Sequence, residues 1–462
     1  GFQVDCGLRI QGGAFRSHGL TLKHSLRLLF KGLYGPTKLD WPLLGPDATD
    51  RFDTLTLRAN SNDGWQWGAA NGQPLYIRDA FGRQTMRAMG GVASHSAFFH
   101  VFINGVYWGL YEATERPDAA FSATYLGGDK ADWDGQNSGS AVDGDLLAWQ
   151  ALIARLGEGV ADLESWYALQ GLDPAGVPDP LRPRWVDMQN LADYMLTNLY
   201  VGNTDWPRKN FYVGRPRDGR LGFHFYMWDS EWSLGLRSNL QTDRTGVDVG
   251  VAQPWDALKT NPEFRLLVAD RARRHLATPG GALWVDPAAP AWDPAQPERN
   301  VPAARFAALA EAVRAPLTLE SARWGDQHRA ESPYTVEAEW RAEPEGLLAD
   351  YFPRRSAVFL DQLRAADLYP AVEPAQPDHW GGRVDQGFAL TLTAPEGAAV
   401  IYTVDGGDPR LPGGEVSPAA TAVEGAAEVL LAARGLGVEV FARVRAPDGT
   451  WSAATVVTFD VF

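Results

Sequence analysis

The order of apolar and polar positions in the first part of the chain predicts several strands and one helix. Residues 25–30 and 53–58 alternate between apolar and polar side chains, which is typical of half-buried strands. Residues 76–89 carry apolar side chains at helical spacing and end at two glycines, so we predict a helix there. The apolar runs 98–103 and 106–111 flank an Asn-Gly dipeptide and predict a hairpin.

The pattern becomes mainly helical from about residue 145, and one helix is well defined. Four of its apolar residues recur at intervals of three, four and four, which gives a single stripe: Met188, Leu191, Met195 and Leu199. We predict that this helix stops at Gly202 and that a polar loop follows over 203–210. A hairpin is predicted over 210–228, with Asp229 directly after its second strand. Further helices are predicted at 264–276, 303–313 and 355–366.

The tail of the chain has a different pattern from about residue 382. Short apolar runs are separated by turns at even spacing, at 388–392, 399–404, 427–431, 438–445 and 454–459. Such spacing predicts a small all-β sandwich, and the Pro- and Ala-rich stretch 370–377 predicts a linker. We therefore expect an α+β fold with one domain over 1–369, a linker over 370–381 and a second domain over 382–462.

Composition narrows the classes of function. The net charge of −15 argues against a nucleic-acid partner, because phosphate backbones require a basic surface. Cys6 is the only cysteine, so no internal disulfide can form. No apolar run reaches the length of a membrane span. The chain begins with Gly-Phe-Gln, so we expect a piece of a longer precursor. Eighteen tryptophans fit either ordinary packing or stacking on sugars.

The predicted succession of helix, polar loop, hairpin and Asp229 suggests phosphoryl transfer. Protein kinases place an Asp in the catalytic loop, an Asn five residues later and a metal-binding Asp after the next hairpin. Asp205, Asn210 and Asp229 follow that order. The first carboxylate orients the attacking hydroxyl, and the other two groups hold the metal that neutralises the phosphates. The alternative is that Asp205 and Asn210 only cap turns. Unlike typical kinases, the chain has no His-Arg before Asp205 and no Phe-Gly after Asp229.

Candidate phosphate ligands lie near the start of the chain. Gly12 and Gly13, together with Arg16, can form a turn whose backbone N–H groups approach phosphates. Lys23 opens the next predicted strand and can reach a phosphate, with Asp79 on the following helix as its ionic partner. The alternatives are an ordinary hairpin turn at the glycines and a solvated lysine at a strand end.

Several long motifs in the same order resemble the CotH kinase family, from the first residue to about Tyr369. They are GLRIQGGAFRS, TLKHSLRLLFK, TLRANSNDGW, YIRDAFGRQTMRAMG, INGVYWGLYEATERPDAAF, YLGGD, NLYVGNTDWPRKNFYVG and FYMWDSEWSLG. The resemblance implies a two-lobed atypical protein kinase domain, with an amino lobe over about 1–115 and a carboxyl lobe over about 116–369. It also implies ATP and Mg²⁺ or Mn²⁺ as cofactors, and transfer to Ser or Thr of exported proteins.

The resemblance also implies roles for single residues. Asp205 would be the catalytic acid of the loop, and Asp229 and Asn210 would be metal ligands. The residues expected around the nucleotide are Gly12, Gly13, Arg16, Lys23, Arg27, Asp79 and Glu115. Lys23 and Asp79 are expected to form an ion pair, and Glu115 is expected close to the hinge between the lobes. Where many relatives have a lysine-containing strand after Gly-Gly-Asp, residues 132–137 read DWDGQN, a departure that would alter or remove nucleotide binding.

The tail has a resemblance of its own. IYTVDGGDPR and VEVFARVRAPDGTWS resemble the small β-sandwich at the carboxyl end of chitobiase and β-hexosaminidase proteins. This implies an accessory module that contacts glycan or envelope, and a secreted or cell-surface bacterial location. Two rival functions follow: a catalytically silent kinase-fold scaffold that binds a surface polymer, and a glycan-processing enzyme. The second requires paired carboxylates in a sugar-sized cleft.

Overall fold

The first part of the chain folds around an antiparallel sheet. The computed structural model describes residues 1–70 and 73–462. The elements of this part are β1 (Gly7–Gln11), β2 (Ser25–Leu29), β3 (Leu39–Asp40), β4 (Arg51–Phe52), β5 (Thr54–Arg58), α1 (Arg78–Ala88), β6 (Ser96–Ile103) and β7 (Val106–Thr114). Five strands pair in the order β1-β2-β5-β7-β6, and β3 pairs with β4. The predicted helix and the predicted hairpin at Asn104-Gly105 are confirmed.

The central part combines a second sheet with helices. Its elements are α2 (Ala119–Leu126), β8 (Trp133–Asn137), β9 (Ser140–Asp143), α3 (Leu147–Gly157), α4 (Leu163–Leu169), α5 (Met188–Val201), β10 (Phe211–Pro216) and β11 (His224–Met227). The sheet has the order β11-β10-β8-β9. Helix α5 carries the predicted stripe and is buried almost throughout, and it ends at Gly202, whose φ of 67° favours glycine. The predicted hairpin after it is also confirmed.

A helical part completes the core around α5. Its helices are α6 (Gln253–Leu258), α7 (Pro262–Ala272), α8 (Val301–Arg314), α9 (Leu317–Trp324), α10 (Ala342–Gly346) and α11 (Phe352–Ala365). Phe81 of α1 packs against Phe306 of α8 and Phe352 of α11, which joins the first sheet to these helices. The three helices predicted from the pattern in this part are confirmed. Over residues 1–70 and 73–462, none of the helices is both long and apolar enough to cross a membrane.

Shorter helical segments link these elements. In the part of the chain that the structure describes, three are π-helical and six are 3₁₀-helical: Arg273–Ala277, Val336–Trp340 and Leu347–Tyr351, then Ala14–Arg16, Ser61–Asp63, Trp65–Ala70, Lys130–Asp132, Gly250–Ala252 and Pro297–Arg299.

The carboxyl-terminal part consists of strands. They are β12 (Gln376–Pro377), β13 (Gly382–Val384), β14 (Phe388–Thr393), β15 (Ala399–Thr403), β16 (Thr421–Glu424), β17 (Ala426–Leu431), β18 (Gly435–Arg445) and β19 (Thr455–Val461). One sheet has the order β12-β14-β17 and the other the order β13-β19-β18-β15-β16. Leu390 and Leu392 of the first sheet share one hydrophobic core with Val400 and Val440 of the second. Strand β12 lies inside the stretch predicted as a linker and pairs with β14.

Two buried ion pairs hold the carboxyl-terminal strands against helix α7. Arg443 of β18 donates two hydrogen bonds to Asp270, at 2.8 and 2.7 Å. Arg410 donates two to Glu263, both at 2.7 Å. Bidentate pairs of this kind fix orientation as well as distance, so the strands are docked on the helical part by specific polar contacts.

Candidate active site

The loop after α5 brings Asp205 and Asn210 into direct contact. The Asn210 side-chain Nδ2 donates to Asp205 Oδ2 and to the Asp205 main-chain oxygen, both at 2.9 Å. Lys209 lies 2.9 Å from the other carboxylate oxygen. Asn210 has a φ of 63°, in the left-handed region that Asn tolerates better than most residues. Because its Nδ2 is engaged with Asp205, its Oδ1 is left to face another ligand.

Asp229 follows strand β11 in a constrained conformation. Its φ of 55° also lies in the left-handed region, where residues in active sites are over-represented. Its side chain is 35% exposed, whereas the next two residues, Ser230 and Glu231, are buried. Arg58, at the end of β5, lies 2.5 Å from Asp229 Oδ1. The carboxylate therefore reaches the surface of the cleft while one of its oxygens is held by a buried arginine.

Arg58 is the centre of a buried cluster of charges. It pairs with Glu231, lies 3.6 Å from Asp79 and 3.8 Å from Glu112, and packs 4.9 Å from the Trp228 ring. Asp79 and Glu112 are also held by Arg83 of helix α1. Arg58 and Glu112 are direct cross-strand partners on β5 and β7, which is why both side chains lie on the same face of the sheet.

The cluster carries an excess of negative charge. Four carboxylates surround two guanidinium groups, so each arginine is shared between carboxylates and the cluster has two more acidic than basic groups. Burial raises the pKa of Asp229, and the carboxylates of Asp79 and Asp205 add to this against the opposing effect of Arg58. Burial likewise raises the pKa of Glu231, with Asp229 and Asp79 contributing. Both shifts indicate a site that attracts additional positive charge.

A cleft of about 630 Å³ brings together residues from the start of the chain and from the catalytic segment. Gly12, Gly13 and Arg16, which lie between β1 and β2, line it together with Asn210 and Asp229. Gly12 has a φ of 118°, which glycine alone adopts readily. Five of the predicted site residues thus share one cleft, as the kinase hypothesis requires.

The stretch 132–137, which the sequence analysis singled out as a departure, contributes to this cleft through its last residue. Asn137, at the end of β8, lines the cleft together with Tyr212 and Arg116. Residues 132–137 contain no lysine.

Asp205 lies beside this cleft and lines an adjoining depression of about 520 Å³. Lys209 lines both spaces. The depression also contains Arg208, Asp243 and Arg244. An acceptor group in this depression and a phosphoryl donor in the cleft would meet at the boundary between Asp205 and Asp229.

The predicted ion pair between Lys23 and Asp79 is wrong. Lys23 is fully buried, and its Nζ lies 2.7 Å from Glu320 of helix α9 and 2.6 Å from the Leu110 carbonyl oxygen. Asp79 instead accepts from the Ser230 backbone and side chain, at 3.0 and 3.1 Å, and pairs with Arg83. The buried Lys23 side chain is therefore not accessible to a nucleotide. Asp79 holds the residue next to Asp229 through its hydrogen bonds with Ser230.

The other two expected nucleotide residues lie outside the cleft. Arg27 donates to Thr54 Oγ1 at 2.9 Å and lines a separate cavity beside β2. Glu115 is buried, accepts from the His95 backbone at 2.8 Å and from the Tyr125 hydroxyl at 2.6 Å. Glu115 thus fastens the end of β7 to helix α2 and to the segment before β6.

Arg58, Glu231 and Glu320 were missed in the sequence analysis. Arg58 ends the alternating run TLTLR. Because side chains two residues apart in a strand point to the same face, the sequence predicts that Arg58 lies on the same face of β5 as Thr54 and Thr56. Glu231 stands two residues after Asp229, and this short spacing is its signal in the sequence. Nothing local to Glu320 identifies it as the partner of Lys23.

The cluster has features that fit a divalent cation. No group of three His, Cys, Asp or Glu side chains in the described part of the chain is arranged as a metal site. However, Mg²⁺ needs only one or two protein carboxylates when phosphates supply the other ligands. The cluster has two more carboxylates than guanidinium groups, and the buried Glu231 Oε2 has no hydrogen-bond partner in the described residues. Asp229 and Asn210 would hold such an ion, with Glu231 behind them.

Comparison with known proteins agrees with the amino-terminal motifs. A family model described as CotH kinase protein matches residues 8–164. This supports a relationship of that segment to the CotH family and suggests a kinase-like protein. The match runs from the first sheet through helix α3 and ends before Asp205, so the candidate role of the segment 205–229 rests on the geometry above. No curated protein matches the chain.

Proposed function

We propose that this protein is a secreted, ATP-dependent Ser/Thr protein kinase of the CotH type. The observation that carries the proposal is the meeting of Asn210 and Asp229 with Gly12 and Gly13 in one cleft. The sheet order β1-β2-β5-β7-β6 with helix α1 between β5 and β6 supports a two-lobed kinase layout. In kinases a cation on the third strand of the first sheet pairs with an acidic residue of the next helix.

In this proposal Arg58 takes the role of that strand cation. It lies on β5, the third strand in the sheet order, and faces Asp79 of α1 at 3.6 Å. Arginine remains charged at all physiological pH values and offers a planar set of donors that suits phosphate oxygens. When a nucleotide enters, Arg58 shares its donors between Asp229 and a phosphate. The bridge to Asp229 keeps the arginine positioned until then.

Asp205 acts on the acceptor. Its carboxylate orients the hydroxyl of a Ser or Thr side chain and accepts the proton as the oxygen attacks the γ-phosphorus. The new O–P bond forms while the bond from the γ-phosphorus to the β–γ bridging oxygen breaks, and ADP leaves. The Lys209 side chain lies beside Asp205 and is 61% exposed, so its ammonium group is free to move with the phosphoryl group during transfer. A bound Mg²⁺ or Mn²⁺ would neutralise charge on the phosphates.

The test separates nucleotide binding from transfer. Transfer of labelled γ-phosphate from ATP to a generic Ser/Thr-rich protein is measured for the intact chain and for Asp205→Asn. We expect Asp205→Asn to bind ATP with Mg²⁺ as the intact chain does and to lose at least about 100-fold in transfer rate. Equal transfer rates in both proteins would contradict the role of Asp205.

A catalytically silent scaffold is the alternative function. It is favoured by the stretch 132–137, which contains no lysine and whose Asn137 lines the cleft, and by Arg58, which already occupies one oxygen of Asp229. A scaffold of this kind would give neither transfer nor a shift of the unfolding temperature with ATP and Mg²⁺. A binding shift without transfer would show that the chain keeps a nucleotide site without catalysis.

We also propose that the carboxyl-terminal strands form an accessory β-sandwich of the chitobiase type that attaches the kinase to a glycan or the cell envelope. Two observations support this proposal: the two sheets enclose one hydrophobic core, and the ion pairs Arg410–Glu263 and Arg443–Asp270 hold the strands against α7. Pull-down on insoluble cell-wall glycan, with residues 1–369 as the comparison, tests this role. Equal retention of both proteins would contradict it.

A further inference from the structure

A separate cavity of about 740 Å³ lies beside strand β2. The ends of β2 and β5, the first turn of α2, strands β8 and β9 and the β10–β11 turn contribute to its wall. It shares no lining residue with the cleft that contains Asn210 and Asp229. Five basic residues line it, which are Arg27, Lys31, Lys38, Lys130 and Arg217.

The concentration of lysine in this cavity is unusual for this chain. The chain contains six lysines and has a net charge of −15. Three of the six lysines, Lys31, Lys38 and Lys130, line this one cavity. Lysines that only confer solubility spread over a surface, whereas lysines from separate segments that converge in a concave space create a local positive potential.

The carboxylates of the cavity do not neutralise these lysines. Lys38 and Lys130 both pair with Asp53, so that two ammonium groups share one carboxylate. Lys31 pairs with no carboxylate in residues 1–70 and 73–462. Burial lowers the pKa of Lys38, and the nearby charges of Lys130 and Arg51 lower it further. A partly buried lysine with other cations nearby is stabilised when an anion enters.

The two other acidic residues of the wall are occupied by the backbone of helix α2. Asp118 accepts from Ala120 N and Phe121 N, at 3.2 and 3.3 Å, and caps the helix. Asp143 accepts from Ala119 N at 3.0 Å. Both carboxylates are thus partly satisfied by the helix terminus, and Asp118 also lies 3.8 Å from Arg27. Arg217 is engaged by Asp134 at 2.7 Å, so Lys31 and the two lysines that share Asp53 are the donors least satisfied by carboxylates.

We propose that this cavity binds an oligophosphate through Lys31, Lys38 and Lys130. Lysine ammonium groups are compact charges with three donors each, and they suit a flexible chain of phosphate groups better than a single planar ligand. The volume lies within the range of sites for small molecules. The chain's negative net charge repels such anions elsewhere on the surface. The ligand is either a free polyphosphate or the phosphate chain of a nucleotide.

The test uses inorganic tripolyphosphate as the probe, without divalent metal and at low salt, on the intact chain. Isothermal titration calorimetry compares Lys31→Glu and the double variant Lys38→Gln/Lys130→Gln with the original protein. We expect affinity to fall about tenfold for Lys31→Glu and about 100-fold for the double variant. Lys259→Gln, whose ammonium pairs with Asp256 on helix α6, is the matched control and should bind as the original does.

Lys31→Glu also keeps the test independent of folding, because Lys31 is exposed and makes no described ion pair. No binding of tripolyphosphate, or equal binding in all four proteins, overturns the proposal. Binding that is lost in Arg58→Lys but kept in Lys31→Glu assigns the probe to the Asp229 cleft and also overturns it. ATP titrated without metal into Asp229→Ala distinguishes the source: lysine-dependent binding there supports a nucleotide, and its absence supports a free polyphosphate. None of these results depends on phosphoryl transfer, so the proposed kinase activity is tested separately.

Discussion

Arg58 on strand β5 lies 2.5 Å from Asp229, the residue that follows strand β11. This contact joins the amino-terminal sheet to the segment that carries the candidate metal ligand. Both residues belong to a cluster in which four carboxylates face two arginines. The position of Asp229 therefore depends on a strand that lies about 170 residues earlier in the chain.

Substitution of Arg58 by lysine tests its role towards the nucleotide. Lysine keeps the charge but cannot bridge two carboxylates and a phosphate with a planar fork. We expect Arg58→Lys to lower kcat/KM for ATP by about 100-fold and the free energy of unfolding by about 2 kcal/mol. Steady-state transfer kinetics and denaturant unfolding measure the two effects. Arg314→Lys, whose exposed side chain pairs with Glu311 on helix α8, is the matched control and should change neither.

Substitution of Asn137 by lysine is expected to strengthen ATP binding instead of weakening it. A lysine at this position would add a positive charge to the wall of the cleft. We expect Asn137→Lys to tighten ATP binding by about tenfold, because a charged hydrogen bond to phosphate would replace a neutral one. Fluorescence titration with a nucleotide analogue measures the affinity. Weaker binding in Asn137→Lys would contradict the placement of the phosphates beside β8.

The sequence predicted the catalytic segment better than the phosphate-binding side of the site. Helix α5, the loop with Asp205 and Asn210 and the following hairpin each have a local signal in apolar spacing and turn residues. For Arg58 the alternation of β5 indicates only which face it lies on, because its partners lie in distant segments. Lys23 was misassigned for the same reason: the partner that buries it, Glu320, is 297 residues away. Charged contacts between distant segments cannot be read from spacing.

Lys23 is expected to stabilise the fold and not to bind nucleotide. Lys23→Met leaves Glu320 buried without its partner, which should cost about 3–5 kcal/mol in the free energy of unfolding. Adding Glu320→Gln removes that isolated charge and keeps an acceptor for the Leu110 N–H, so it should recover most of the loss. Chemical denaturation of both variants gives the comparison. A stable Lys23→Met protein that has lost ATP binding would restore Lys23 as a phosphate ligand.

The contact of Glu263 with Arg410 makes the docking of the carboxyl-terminal strands sensitive to acid. Burial raises the pKa of Glu263, but the hydrogen bonds from Arg410 and Gly413 outweigh it, so the pKa lies below its usual value of 4.5. A lowered pKa gives stability that is present above the unfolded value and is lost as the pH falls through the folded value. We expect Glu263→Gln to unfold at a lower temperature at neutral pH and to lose less stability below about pH 4.5.

Thermal unfolding followed by circular dichroism between about pH 7 and about pH 3.5 measures this difference. Glu424→Gln removes an exposed carboxylate at the end of β16 and is the control. It should behave as the original protein at every pH. Parallel stability curves for Glu263→Gln and the original protein would show that this contact does not titrate on unfolding.

The central claim is that Asp229 holds the metal–nucleotide complex for phosphoryl transfer, and its most direct test is labelled γ-phosphate transfer by Asp229→Ala. Asp218→Ala, on the β10–β11 turn, is the matched control. The account predicts full transfer by the control and none by Asp229→Ala, with both proteins folded. It also predicts that Mg²⁺ with ADP raises the unfolding temperature of the control alone. Transfer or a metal-dependent shift that persists in Asp229→Ala would contradict the account.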